Sequence, residues 1–268
     1  MNELISIIMP AYNSEKYIAD SIESVICQTY PFWELIIIDD NSSDKTVSII
    51  NKYLSADKRI VIYKNEINKG VSFSRNFGMS KAKGEWVAFL DSDDIWDTQK
   101  LTNQINYAIT MNVSFVFSGV IYIDVSNNIL NHYLSIPKNV CYSDLLKQNV
   151  IPCSSVLIKY SLICNYSFES GNIHEDYCMW LRILRNEKYA HGINEPLLKY
   201  RMHVDSKSGN KLASLIMSFN TYIKVCDNTL YAFGYLLSNI YRNTIKYITI
   251  RRGKHVTTGS PGRNHEPE

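Results

Sequence analysis

Three carboxylates occupy Asp91, Asp93 and Asp94, with Ser92 between them, directly after the apolar run Trp86-Val87-Ala88-Phe89-Leu90. Unpaired charges at the end of a buried strand repel one another unless a cation or hydrogen-bond donors offset them. Oxygen ligands at this density suit Mg²⁺ or Mn²⁺, and an ion held by one or two carboxylates keeps positions open for phosphate oxygens. The plain alternative is a solvated capping turn before Ile95-Trp96. A second acidic stretch, Asp39-Asp40-Asn41-Ser42-Ser43-Asp44, follows the run Leu35-Ile36-Ile37-Ile38. Asp39 and Asp40 lie nearest the strand and could accept hydrogen bonds from a base N–H or a ribose hydroxyl, while Ser43 or Asp44 caps the next helix. Between these acids, a glycine turn at Gly70 leads into a helix whose first turns carry Arg75 and Asn76. A cation beside backbone amides at a helix start suits a diphosphate; a salt-bridged structural arginine is the other reading.

Elements must bring these residues together. The first hundred residues alternate β-branched runs (5–9, 34–39, 60–63, 86–90) with helical patterns (15–28, 44–54, 72–81), which predicts an α/β fold with a parallel sheet. Ligands of such sheets bind beyond the carboxyl ends of the strands. The loops there hold Ala11-Tyr12-Asn13-Ser14 and the acidic and glycine segments above. After Gln104 the pattern loosens into two strands around Ser126-Asn127-Asn128, a short helix near Asp144, a strand over 154–159 and a helix over 175–185. Residues 211–250 read as helical with an aromatic face, and 257–268 as a disordered end. The expected organisation is a catalytic domain over 1–210, a helical extension over 211–252 and a disordered tail over 253–268.

Composition narrows the function classes. The chain of 268 residues is 46% apolar and carries 28 Lys and Arg against 26 Asp and Glu, so no overall basic field argues for a nucleic-acid partner. The longest mainly apolar stretch, 113–123, is far shorter than the roughly 20 residues of a spanning helix. Residues 4–10 are too short for a secretory core, and the six scattered cysteines form no C-x-x-C pair, so a reduced, cytoplasmic chain is expected.

The segments Ile7 to Asn13, Ile36 to Asp44, Gly70 to Gly78 and Phe89 to Asp94, in this order and spacing, resemble the family 2 glycosyltransferases of GT-A fold. The resemblance covers about residues 4–100 and continues more weakly to about 210. It implies a Rossmann-like, mainly parallel central sheet flanked by helices, and the transfer of a sugar from a nucleotide diphosphate, commonly of uridine. It places Pro10, Ala11, Tyr12 and Asn13 in the nucleoside-binding loop, Asp40 at the base and Arg75 near the nucleotide. Asp91 then lies near the ribose and Asp93 at the metal and diphosphate, with Asp94 as a third candidate. His174-Glu175-Asp176-Tyr177-Cys178-Met179-Trp180-Leu181-Arg182 resembles the family's Glu-Asp helix with its following Trp-x-Arg. Inversion at the sugar needs a base on the acceptor side; Asp176 is that base, with Glu175 as the alternative. His203, in Tyr200-Arg201-Met202-His203, matches a histidine near the pyrophosphate. The Gln-x-x-Arg-Trp motif of processive members is missing, which implies one sugar per encounter.

Many bacterial relatives of this size extend O-antigen or capsule units on a polyprenyl diphosphate, so the resemblance also implies a lipid-linked glycan acceptor. The aromatic stretch and its basic end, Lys246, Arg251, Arg252 and Lys254, suit either a membrane surface or packing on the catalytic domain or a second subunit. A peripheral position on the inner face of the cytoplasmic membrane follows from the first reading. Two other classes compete with a transferase. A phosphoryl-transfer hydrolase would use Asp91 and Asp93 as nucleophile and acid, although in such enzymes that pair follows the first strand, not the fourth. An inactive nucleotide-sugar-binding scaffold is the other.

Overall fold

β-Branched residues pack well on a pleated sheet, and the four apolar runs of the first hundred residues all become strands. The computed structural model describes residues 3–202, 211–226, 228–251 and 256–257. In chain order its first part runs β1 (Ile5–Ala11), α1 (Ile18–Ile26), β2 (Trp33–Asp39), α2 (Thr46–Ala56), β3 (Ile60–Lys64), α3 (Val71–Lys81) and β4 (Trp86–Phe89). These strands pair in parallel in the order β4-β1-β2-β3. All seven residues of β1 are buried, as its central place requires.

The second part adds β5 (Ile95–Trp96), α4 (Lys100–Met111), β6 (Phe115–Ile123), β7 (Ile129–Ser135), β8 (Asn139–Val140), α5 (Tyr142–Lys147), β9 (Leu157–Lys159), α6 (Tyr160–Ile163), α7 (Glu175–Leu184) and β10 (Ala190–Arg201). Strand β9 inserts antiparallel between β4 and β6, and β7 lies antiparallel on β6. Strand β10 runs parallel to β6, with a register shift between Ile193 and Leu198, and its end pairs with β5. The parallel half carries the acidic loops; the mixed half wraps round to the same end.

Alternate residues of the strands enter two cores. Ile5, Ile7, Leu35 and Ile37 pack with Ile18 and Ile22 of α1, Ile50 of α2 and Leu101 and Ile105 of α4. Ile8, Ile36, Ile38, Val87 and Phe89 pack with Met79 of α3 and with Tyr177, Trp180 and Leu181 of α7. The helices α8 (Lys211–Val225) and α9 (Thr229–Arg251) belong to this second core through Tyr222, Val225, Ala232 and Leu236. One aromatic face of the expected helical extension is thus covered by the catalytic domain. Of the tail expected to be disordered, Val256–Thr257 forms β11 beside Leu134 and Ser135 of β7; residues 253–255 and 258–268 lie outside the described residues.

Two elements escaped the sequence pattern for physical reasons. Helix α4 buries Lys100 and Gln104 together with Leu101, Ile105 and Ala108, so its inner face does not read as apolar. Lys100 Nζ donates to Gln104 Oε1 at 2.6 Å and lies 4.0 Å from the centre of the Trp96 ring. Strand β10 is interrupted by Asn194-Glu195-Pro196, where its register shifts.

Candidate active site

The loops after β1, β2, β3 and β4 and the start of α7 enclose a cavity of about 560 Å³. Its wall includes Pro10, Ala11, Tyr12, Asn13, Asp40, Gly70, Arg75, Asp91, Ser92, Asp93 and Glu175. Residues from five separate segments of the chain therefore face one space, as the order of the motifs predicts.

The first two loops are tied to each other. Asn13, in the left-handed region at φ 46°, accepts Ser43 N–H through Oδ1 at 2.9 Å, and its own N–H donates to Ser42 Oγ at 3.0 Å. Asn tolerates this conformation. Its amide thus fastens the loop and leaves Tyr12, half exposed, as the aromatic surface of the wall. Ser14 Oγ meets Ser92 Oγ at 2.7 Å and joins the first loop to the acidic one. The N-cap of α2 falls at Lys45 rather than at Ser43 or Asp44; Asp44, one residue before it, accepts Thr46 N–H at 2.9 Å.

Asp40 is buried and accepts three hydrogen bonds, from Asn65 Nδ2 at 2.7 Å, Lys69 N at 2.9 Å and Gly70 N at 2.7 Å. A carboxylate offers about four acceptor positions. One remains for a ligand N–H, and the other three shape the glycine turn. Gly70 itself sits at φ 85°, a conformation that costs little only without a side chain. Asp39 is also buried but does not line the cavity; its Oδ2 accepts Ser42 N at 3.3 Å.

Arg75 links the two groups of acids. Its guanidinium, 4% exposed, donates from Nη2 to Asp91 Oδ1 at 2.6 Å and from Nη1 to Glu175 Oε1 at 3.2 Å. These carboxylates, outweighing burial, hold its pKa well above the ordinary arginine value. Arg75 thus takes a salt-bridged structural role that spans 100 residues of sequence, at the cavity wall where a phosphate contact is expected.

The neighbouring acids face different environments. Burial and then the Glu175 charge push the Asp176 carboxyl up to about 6, against the opposing pull of Arg75 and His174. Asp176 is half-buried and does not itself line the cavity as Glu175 does; its Oδ1 accepts Tyr177 N at 2.7 Å. Asp94 turns away from the cavity: its Oδ1 accepts Arg201 N at 3.1 Å, and burial with the Asp93 and Asp91 charges raises its pKa well above the carboxylate range. The fully enclosed Arg201 side chain donates from Nε to Asp93 O at 2.8 Å and from Nη1 to Asp124 O at 3.1 Å. The end of β10 thereby fixes the backbone of the acidic turn.

Other expected site residues lie elsewhere. Asn76 points to the segment before α7, exchanging hydrogen bonds of 2.8 Å with both Phe168 O and Phe168 N. Arg182 pairs with Glu169 at 2.9 Å, since seven residues beyond Glu175 the helix has carried it away from the cavity. His203 lies outside the described residues. Six wall residues given no role from the sequence are Ser14, Tyr17, Asn68, Val71, Ser74 and Tyr200. Tyr200 belongs to the segment that carried His203, and its phenol is raised by burial and by Asp94, Asp91 and Asp93.

With this geometry described, comparison with known proteins defines the class. The family described as Glycosyl transferase family 2 matches residues 6–162, and the chain belongs to it. The chain is 37% identical over 249 residues to an Escherichia coli protein, UDP-Glc:alpha-D-GlcNAc-diphosphoundecaprenol beta-1,3-glucosyltransferase WfaP, covering 91% of this chain and 97% of that one. It is 36% identical over 208 residues to the putative teichuronic acid biosynthesis glycosyltransferase TuaG of Bacillus subtilis, covering 78% and 82%. Among solved structures, the mannosyltransferase PcManGT of Pyrobaculum calidifontis, in complex with GDP-Man and Mn²⁺, superposes with a TM-score of 0.68 at 15% identity over 96% of this chain and 76% of that one. S. aureus TarS 1-349 with UDP-GlcNAc gives 0.66 at 18% over 87% and 70%. The fold is GT-A, and the chain is a glycosyltransferase.

Proposed function

We propose that the chain transfers one sugar, with inversion, from a UDP-sugar to a hydroxyl of a polyprenyl-diphosphate-linked glycan in surface polysaccharide synthesis. The observation that carries this reading is the single cavity that gathers Tyr12, Asp40, Asp91, Asp93 and Glu175 from three strand ends and one helix start. Tyr12 offers a ring face to the base, and Asp40 has one acceptor position for a base N–H.

The donor atoms of the acidic turn suit a Mn²⁺ or Mg²⁺ ion. Asp91 and Asp93 supply hard oxygens, and among the described residues no three His, Cys, Asp or Glu side chains converge as a closed metal cage. Such an ion would be held by Asp93, with Asp91 beside it, and by the donor's own diphosphate, whose departing charge it would neutralise. Arg75 holds Asp91 and Glu175 in place through its two ion pairs. Asp176 takes the proton of the acceptor hydroxyl, as a carboxylate with a pKa of about 6 can do at neutral pH.

The acceptor is inferred from the relatives: WfaP is a glucosyltransferase of alpha-D-GlcNAc-diphosphoundecaprenol, and TuaG a putative glycosyltransferase of teichuronic acid biosynthesis. A polyprenyl-linked acceptor places the enzyme peripherally at the inner face of the cytoplasmic membrane; no described helix is long and apolar enough to cross it. The test is a panel of UDP-, GDP- and dTDP-sugars with Mn²⁺ and a GlcNAc-diphosphate-lipid acceptor. UDP-sugar turnover with product on the lipid is expected. Absence of both nucleotide binding and turnover would overturn the reading.

A further inference from the structure

The inner face of α9 is fully engaged. Ala232 and Leu236 are buried in the core, Asn239 Nδ2 donates to Tyr222 OH at 3.0 Å, and Tyr235 stacks on Tyr222 with ring centres 6.2 Å apart. The outer face is also apolar. Leu230, Phe233, Leu237, Ile240 and Tyr241 follow one another at helical spacing and stay 80%, 54%, 53%, 38% and 68% exposed. A surface helix of a water-soluble protein ordinarily presents polar groups there. Contiguous exposed apolar residues on one stripe mark an interaction surface.

Charge identifies the partner. Between Asp227 and Glu266 the sequence has no acidic residue, yet it carries Arg242, Lys246, Arg251, Arg252, Lys254 and Arg263. The first half of α9, Thr229 to Tyr241, has no charge at all. A second copy docked on this stripe would bring the same cations and no acid to oppose them, whatever the orientation of the two helices. An anionic lipid surface supplies both needs, hydrocarbon for the stripe and negative headgroups for the basic end. Tyr241, at the boundary between the apolar and basic halves, matches the preference of tyrosine for the headgroup level.

We infer that the outer face of α9, with the basic end of that helix, docks the enzyme on anionic phospholipid. The inference rests on the proposed lipid-linked acceptor only for its purpose; the surface stands without it. Docking through this face places the chain in the plane where a lipid-linked acceptor is confined.

Flotation of the full chain with vesicles tests this. Binding to vesicles containing phosphatidylglycerol, weakened by salt and weak on phosphatidylcholine alone, is expected. Phe233→Glu with Leu237→Glu should lower the bound fraction by about tenfold or more, and Arg251→Glu with Arg252→Glu by a similar factor. Both pairs should leave the melting temperature and the hydrolysis of the free sugar donor unchanged. No flotation of the unaltered chain, equal flotation of the double variants, or equal binding to both vesicle types would overturn the inference. So would a dimer in solution that Phe233→Glu with Leu237→Glu splits. Vesicle binding without any turnover of donor would leave the docking face standing and remove the transfer reading.

Discussion

A carboxylate that removes a proton from a sugar hydroxyl is most effective when its pKa lies near the working pH. Burial and Glu175 bring Asp176 close to that condition, whereas Arg75 holds its neighbour Glu175 in an ion pair. Asp176→Asn is therefore expected to lower transfer by roughly 10²–10⁴-fold while nucleotide binding, measured by calorimetry, is kept. Activity of the unaltered chain should rise with pH through about 6, because only the deprotonated form accepts a proton. Stability has the opposite sign. A carboxyl whose pKa is raised on folding is penalised wherever it is ionised, so the penalty is full above about pH 6 and gone below the ordinary carboxylate range. Asp176→Asn should accordingly raise the stability at pH 8 by about 1–3 kcal/mol, seen as a higher melting temperature, and give no gain at pH 3.5. Asp93→Ala is expected to abolish the metal dependence of nucleotide binding and to leave metal-free binding unchanged. The acids at strand ends were legible in the sequence because a charge directly after a buried strand has few other uses. Asn76 and Arg182 were not separable from them, since one residue step round α3 turns Asn76 from the cavity and two turns along α7 carry Arg182 past it.

At the scale of elements, the site depends on how closely α3 presses on the sheet. A Cβ at Gly78 would lie 2.4 Å from Ile8 Cγ2 of β1 and 3.4 Å from Ile38 Cγ1 of β2. Gly78→Ala is expected to cost about 1–3 kcal/mol by overpacking, read as a lower denaturation midpoint, and to displace Arg75, which sits one turn earlier on the same helix. The central strands and helix α1 could be read because their buried sides are largely apolar, whereas α3 buries Ser72, Ser74, Arg75 and Gly78 beside Met79. Helix α4 and strand β10 could not, the one because Lys100 and Gln104 satisfy each other inside the protein, the other because a Pro-containing irregularity breaks its alternation. Yet β10 is the element that delivers Tyr200 to the cavity and Arg201 to the acidic turn. Part of the site's support thus comes from a segment whose own pattern is ambiguous.

For the whole molecule, α8 and α9 complete the core around the base helix. Tyr177 OH donates to Leu145 O at 2.7 Å and lies 3.1 Å from Tyr222 OH, which donates to Leu146 O at 3.0 Å. His174 N, at the very start of α7, donates to Thr221 Oγ1 at 3.0 Å, and Asn220 Nδ2 donates to Asn172 O at 2.9 Å. Ending the chain at residue 210 would strip these partners and uncover the Tyr222 and Val225 side of the core, each large apolar side chain being worth about 1.5–3 kcal/mol when fully buried. The shortened chain is expected to aggregate or melt far below the full one in a thermal scan. An aromatic stretch shows in the sequence that it must be covered, but which of its two faces meets protein depends on partners 45 to 90 residues away, such as Tyr177 and Leu146.

The clamp on the start of α7 also orders events in time. During synthesis, the loops that form most of the cavity wall, between Pro10 and Asp93, emerge long before Thr221 and Asn220 do. A nascent chain therefore owns the pieces of its cavity before the last clamps on the start of α7 arrive, and competence for transfer is among the last properties the growing polypeptide acquires.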